Sequence, residues 1–139
     1  MRGRILGLDY GKKRIGVAVS DPLSIIAVGL PTVRFKSLSE AIVQIKQIIA
    51  GHHAQQIVVG FPYNLKGEIN QAGRITETFI RVLEKETHLP VTKLDERFTS
   101  VIANDTIKAL GKSPSKSREK KDELSARLIL QQYLDRLNS

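Results

Sequence analysis

Two short apolar runs around a polar turn, the first ending in an acid, constrain this chain more than any other feature. Residues 4–21 read Arg-Ile-Leu-Gly-Leu-Asp-Tyr-Gly-Lys-Lys-Arg-Ile-Gly-Val-Ala-Val-Ser-Asp. The runs at 5–8 and 15–19 flank a Gly- and Lys-rich turn, which is the pattern of a β-hairpin. Side chains alternate along a strand, so Ile5, Gly7 and Asp9 share one face of the first run. In the second run Ile15, Val17 and Val19 share one face, and Gly16, Ala18 and Ser20 the other. With the small residues beside Asp9, the hairpin has a bulky face for a core and a shallow face around one carboxylate. A shallow face of this kind leaves room for a metal ion and a phosphodiester backbone. On spacing alone Asp9 serves equally well as the residue that ends the strand and caps the turn.

Beyond Asp21-Pro22, residues 25–33 read as a third, less regular strand, broken by Gly29 and Pro31. Ser37 and Glu40 have the spacing of a capping box. Behind them Leu38, Ala41, Ile42, Ile45, Ile48 and Ile49 follow the period of an amphipathic helix, which Gly51 is expected to stop. Residues 56–60 form a β-branched run suited to a buried parallel strand, leading into a Pro- and Gly-containing loop at 61–67. A second helix places Ile75, Phe79, Val82 and Leu83 on one face and closes near His88. Residues 91–96 read as a strand ending in Asp95 and Glu96, and a short helix carries Ile102, Ala103, Thr106, Ile107 and Leu110. Residues 112–121 hold no apolar residue except Pro114, which predicts a flexible stretch. The last helix then begins near Asp122, with a stripe of Ala126, Ile129, Leu130, Tyr133, Leu134 and Leu137. Asp122 lies one turn ahead of Ala126, on that same inward face. There it is either a favoured helix N-terminal acid or a buried-stripe acid in need of a partner. This order of elements predicts one α/β domain over residues 1–139, an antiparallel hairpin joined to parallel strands through crossover helices.

Charge narrows the partners. Twenty-two Lys and Arg against fourteen Asp and Glu give +8, which favours a polyanion, nucleic acid first, over a merely soluble basic surface. Lys12, Lys13 and Arg14 sit in the hairpin turn, and Lys112, Lys116, Arg118, Lys120 and Lys121 precede Asp122; both clusters adjoin acids. With no cysteine, disulfides and Cys-based zinc sites are excluded. His52, His53 and His88 fall at helix ends, where a cation is favourable, and carry no catalytic assignment. The first residues lead straight into a strand without an apolar leader, and no run approaches the ~20 apolar residues of a membrane span. The expected location is cytoplasmic.

Asp9, the Asp95-Glu96 pair and Asp122 all fall where an α/β sheet gathers its ligands, at strand ends and a helix start. Separated carboxylates without His or Cys make a hard, all-oxygen site for Mg²⁺ or Mn²⁺. Beside basic residues, such a site suits phosphodiester hydrolysis. Arg97 either clamps a phosphate or pairs with Asp95. Tyr10 and Phe61 either stack on bases or pack in the core.

Gly7-Leu-Asp-Tyr-Gly11, Arg14-Ile-Gly-Val-Ala-Val-Ser-Asp21, Val59-Gly-Phe-Pro62 with Gly67, Asp95-Glu-Arg-Phe-Thr99 and residues 122–130 closely resemble the YqgF (RuvX) family. The motifs keep their order and spacing over nearly the whole chain. The resemblance implies an RNase H-like fold related to the RuvC resolvases, with a mixed five-stranded sheet whose second strand is antiparallel to its neighbours. It implies a metal-dependent nuclease, members being described as pre-16S rRNA nucleases or as Holliday junction resolvase-like proteins. Residue by residue, Asp9 matches the first-strand acid, Glu96 the second and Asp122 the acid of the C-terminal helix. Ser100 and Ser125 stand where Thr and Ala are usual, and Lys121 where an aliphatic residue is common. The Lys121 departure brings a cation close to the expected metal site.

Three rivals follow from the same residues. The Asp-x-Gly hairpin is shared with sugar-kinase and actin-like ATPases, which need two such domains around ATP, more than 139 residues supply. A catalytically silent nucleic-acid-binding module would use the charge and keep the acids for structure. A DNA junction resolvase would act as a dimer on a two-fold substrate.

Overall fold

The hairpin is formed as its alternation requires. In a computed structural model, which describes residues 3–63, 66–95 and 114–139, β1 (Arg4–Tyr10) and β2 (Arg14–Ser20) pair antiparallel. Asp9 lies opposite Gly16 and Gly7 opposite Ala18. β3 (Ala27–Arg34) adds antiparallel to β2, and β4 (Ala54–Phe61) parallel to β1 after helix α1 (Leu38–His52). Helix α2 (Gln71–Thr87) leads to β5 (Val91–Asp95), parallel to β4, and helix α3 (Pro114–Leu137) follows. The sheet order is β3-β2-β1-β4-β5. This is the mixed five-stranded sheet expected, with β2 antiparallel to both neighbours.

Alternation along the strands divides the core in two. Leu6, Leu8, Ile15, Val17, Ile57, Val59 and Phe61 meet Ala41, Ile42 and Ile45 of α1 and Phe79, Ile80 and Leu83 of α2. On the other face Ile5, Ala18, Ala27, Val58 and Leu94 meet Ala126, Ile129, Leu130 and Leu134 of α3. The bulky face of the hairpin thus supports α1 and α2, as expected. The small face is a different matter. It is not simply open space for an ion and a backbone, because α3 lies directly on it. A Cβ on Gly7 would stand 2.7 Å from the Leu130 Cβ, and one on Gly16 would fall on the Asp122 carbonyl.

Helix ends follow the local chemistry with one correction. The Ser37 Oγ accepts from the Glu40 N–H at 3.2 Å, and the Glu40 carboxylate reaches back to the Lys36 N–H at 3.4 Å. Gly51 does not stop α1: the helix runs through it to His52, and His53 takes the left-handed conformation at φ 56°, its N–H bonded to the Ile49 carbonyl. His88 closes α2 in the same way at φ 57°. A left-handed cap favours Gly, but a His accepts it at modest cost.

Two further expectations change. The buried face of α2 is Gly73, Thr76, Phe79, Ile80 and Leu83, while Ile75 is exposed; Gly73 lets the helix lie against the Phe61 ring. α3 begins at Pro114, well before Asp122, so residues 114–121 are helical where an irregular stretch was expected, and residues 112 and 113 lie outside the described residues. Proline is favoured in a first helical turn, and Lys, Arg and Glu are good helix formers whether or not they are buried. The Lys120–Glu123 ion pair, 3.8 Å, adds local support. The short helix expected around Ile102 to Leu110 lies outside the described residues, as do Glu96 and Arg97.

The close approach of α3 is directly testable. Gly16→Ala should destabilise the protein by about 1–3 kcal/mol, because the added methyl group has to displace helix backbone. Urea denaturation of the two proteins measures it, and equal midpoints would show that α3 is not seated this closely.

Candidate active site

The turn end of the β1–β2 hairpin forms a cleft of about 290 Å³, lined by Asp9, Tyr10, Gly11, Lys12, Lys13, Arg14 and Asp122. Asp9 and Asp122, far apart in sequence, therefore share one cavity. The reason is geometric. Asp9 pairs with Gly16 across the ladder, and the backbone of Asp122 rests on Gly16, so both acids belong to the α3 face of the sheet.

Asp122 is not a helix N-terminal acid, since α3 starts well before it. It is the acid on the inward stripe, and its partner is Arg14. The Arg14 Nε donates to Asp122 Oδ2 at 2.7 Å, with the two side chains 29% and 16% exposed. Nothing in local sequence joins these residues, which lie 108 positions apart. The only signal for the pair was that an acid on a buried stripe requires a cation or donors. Arg14, expected among the nucleic-acid contacts, donates its Nε–H to this carboxylate.

The other basic positions are distributed as follows. Lys12 and Lys13 are exposed at the rim of the cleft, Arg118 and Lys120 are exposed on the early turns of α3, and Lys121 is half-buried. Lys116 falls in the first turns of the same helix. At the far side, β5 ends at Asp95, whose ladder partner is Phe61 of the α1–α2 face. Its neighbour Leu94 packs on the α3 face. Asp95 is therefore on the opposite side of the sheet from Asp9. Among the described residues no three of His, Asp and Glu gather to hold a metal ion; Glu96, the third expected acid, and Arg97 lie outside them.

The aromatic residues belong to the packing. Tyr10 stacks on Phe79 at 4.1 Å between ring centres and on Phe35 at 5.8 Å, and its burial raises the phenol pKa above the ordinary value. Phe61 is fully buried beneath Tyr63, with the Lys93 ammonium 4.8 Å from its ring centre. Both rings are thus engaged in packing contacts.

Chemically, the cleft offers two hard oxygen donors, suited to a cation such as Mg²⁺ or Mn²⁺ and unsuited to zinc. Its rim offers ammonium groups suited to phosphate. Crowded carboxylates repel one another, but the Arg14 guanidinium offsets the charge of Asp122. With Arg14 in place, Asp122→Ala should destabilise the metal-free protein by about 1–2 kcal/mol, since a partly buried cation loses its partner. In a double-mutant cycle with Arg14→Ala the two losses should fall short of additive by about 1 kcal/mol. Strict additivity would mean that the pair contributes nothing.

Residues 3–136 match the family described as RuvX: Holliday junction resolvase. A protein of Ruminiclostridium cellulolyticum named "Putative pre-16S rRNA nuclease" is 42% identical over 135 residues, covering 96% of this chain and 95% of the other. One of the same name from Koribacter versatilis is 44% identical over 136 residues, covering 98% and 89%. Among solved structures, the Thermus thermophilus RuvC bound to a Holliday junction substrate aligns at TM-score 0.56 and 14% identity, over 98% of this chain and 96% of that one. The Fowlpox virus resolvase bound to Holliday junction DNA aligns at 0.61 and 10%, over 98% and 99%. These structures share the fold, which is the RNase H-like arrangement expected from the motifs. The protein belongs to the RuvX family.

Proposed function

We propose that this protein is a divalent-metal-dependent nuclease that cuts phosphodiester bonds in structured RNA, its substrate being the precursor of 16S ribosomal RNA. The observation that carries this reading is the convergence of Asp9 and Asp122 in one cleft rimmed by Lys12 and Lys13. Asp9, Glu96 and Asp122 are the acids that hold Mg²⁺ or Mn²⁺. When bound, such an ion activates water and stabilises the leaving oxygen. The chain's own residues do the rest. Lys12 and Lys13 draw the backbone toward the acids, and Lys116, Arg118, Lys120 and Lys121 extend the contact along α3, with Arg97 as a further phosphate ligand. Asp95, on the other side of the sheet, stays out of the metal set. The names of the relatives support the RNA substrate. A ribosomal-RNA precursor places the activity in the cytoplasm, and no helix among the described residues is long and apolar enough to cross a membrane.

A DNA junction substrate is the second reading, favoured by the family description and by the two resolvases of like fold. The deciding experiment offers one preparation a 16S rRNA precursor and a four-way DNA junction, each with Mg²⁺ or Mn²⁺. Cleavage of the RNA alone supports the first reading and of the junction alone the second. Asp9→Asn, Glu96→Gln and Asp122→Asn should each abolish cleavage and retain binding, while Asp95→Asn should keep turnover. Loss of turnover in Asp95→Asn with an active Glu96→Gln would reverse the assignment of the second acid. Binding without cleavage in every condition would identify a silent binding module.

Affinity for nucleic acid should also fall by about tenfold or more between 50 and 200 mM salt, as released counterions require. Replacing Lys116, Arg118, Lys120 and Lys121 with Ala should weaken binding and flatten that slope. A salt-independent affinity would remove the electrostatic part of the reading.

A further inference from the structure

The ion pair of Arg14 and Asp122 sits where the nuclease reading requires a carboxylate ready for a metal, and it has more than one anchor. Arg14 opens β2 beside Arg34 of β3. Asp122 is pinned from below by Gly16, two residues along the same strand, whose missing side chain its backbone occupies. The backbones of both residues are thus fixed by the sheet and by the packing of α3, which brings the two side chains to 2.7 Å. The cleft holds a second carboxylate, Asp9, and the exposed Lys12 and Lys13 beside the same guanidinium. A divalent cation entering between Asp9 and Asp122 meets a positive charge already bound to one of its ligands.

We propose that Arg14 is a built-in counter-ion for the metal site, holding the Asp122 carboxylate in the metal-free protein and releasing it when a divalent cation binds. This rests on the reading of Asp9 and Asp122 as metal ligands. Two consequences follow from charge alone. The guanidinium competes with the metal, so its removal tightens metal binding. Once released at the rim beside Lys12 and Lys13, it is free to take a phosphate in the bidentate manner that Arg favours. Metal and nucleic acid then reinforce each other's binding, and by linkage the effect is reciprocal. Arg14 is a positioning residue in this scheme, acting on Asp122.

The wild-type protein tests the release directly. In metal-free protein the Arg14 Nε–H should give a protected NMR signal; saturation with Mg²⁺ should shift it and speed its exchange with water. An Arg14 signal unchanged at saturation overturns the proposal. Mn²⁺ titration of variants tests the competition. Arg14→Gln should bind Mn²⁺ on the order of tenfold more tightly than wild type, as loss of a neighbouring positive charge requires. Arg14→Lys, which keeps the charge, should bind it about as wild type does. Unchanged or weaker binding in Arg14→Gln overturns the proposal, since a purely structural pair changes stability and leaves metal affinity alone. Asp9→Asn separates the two levels: if wild type and Asp9→Asn bind Mn²⁺ alike, the metal reading itself fails and the counter-ion falls with it. If Asp9→Asn loses binding while Arg14→Gln matches wild type, only the counter-ion is wrong.

Discussion

The site at the turn end of the β1–β2 hairpin depends on two absent side chains. Gly7 and Gly16 present bare backbone on the face where α3 lies, and with Ala18 and the fully buried Ala126 they allow helix and strands to touch. The contact lets Ile129, Leu130 and Leu134 bury completely, each contributing roughly 1.5–3 kcal/mol of hydrophobic stabilisation. It also determines chemistry. An acid on a helix one side chain further from the sheet would not reach an arginine that begins β2. Core packing and site assembly are thus one interaction.

The same alternation that builds the core sorts polar from apolar function at single-residue resolution. Adjacent on β1, Asp9 faces the cleft beneath α3, while the ring of Tyr10 closes the opposite core between Phe35 and Phe79. At the end of β5 the same rule separates Leu94 from Asp95. A register slip of one residue in either strand would exchange these roles, and both core faces oppose such a slip because each is fully packed.

Much of this was legible in the chain. The hairpin, the N-cap at Ser37, and the stripe running from Ala126 to Leu134 each rest on spacing within a few residues, and each formed as its spacing required. Three failures share a cause. Gly51 looked like a helix stop, but the left-handed position fell to His53 because strand β4 begins at Ala54. Ile75 belonged to an apolar pattern, yet α2 turned Gly73 and Thr76 inward so that it could approach Phe61. The basic stretch before Asp122 lacked apolar residues and read as flexible, although charged residues extend a helix whose later turns are already anchored. In each case the local signal was real, and a neighbouring element outweighed it.

Sequence by itself determined which residues are candidates for the chemistry, because residue type and motif order are properties of the chain: Asp9 at a strand end, Asp122 on an inward stripe, lysines beside both. It also determined the two-faced hairpin, since alternation is a property of extended backbone. Only the tertiary structure decided that the shallow face would receive a helix and that Asp122 would meet Arg14, 108 residues away. The physical reason is that an ion pair depends on distance in space, which here is set by how closely α3 can settle onto Gly7 and Gly16.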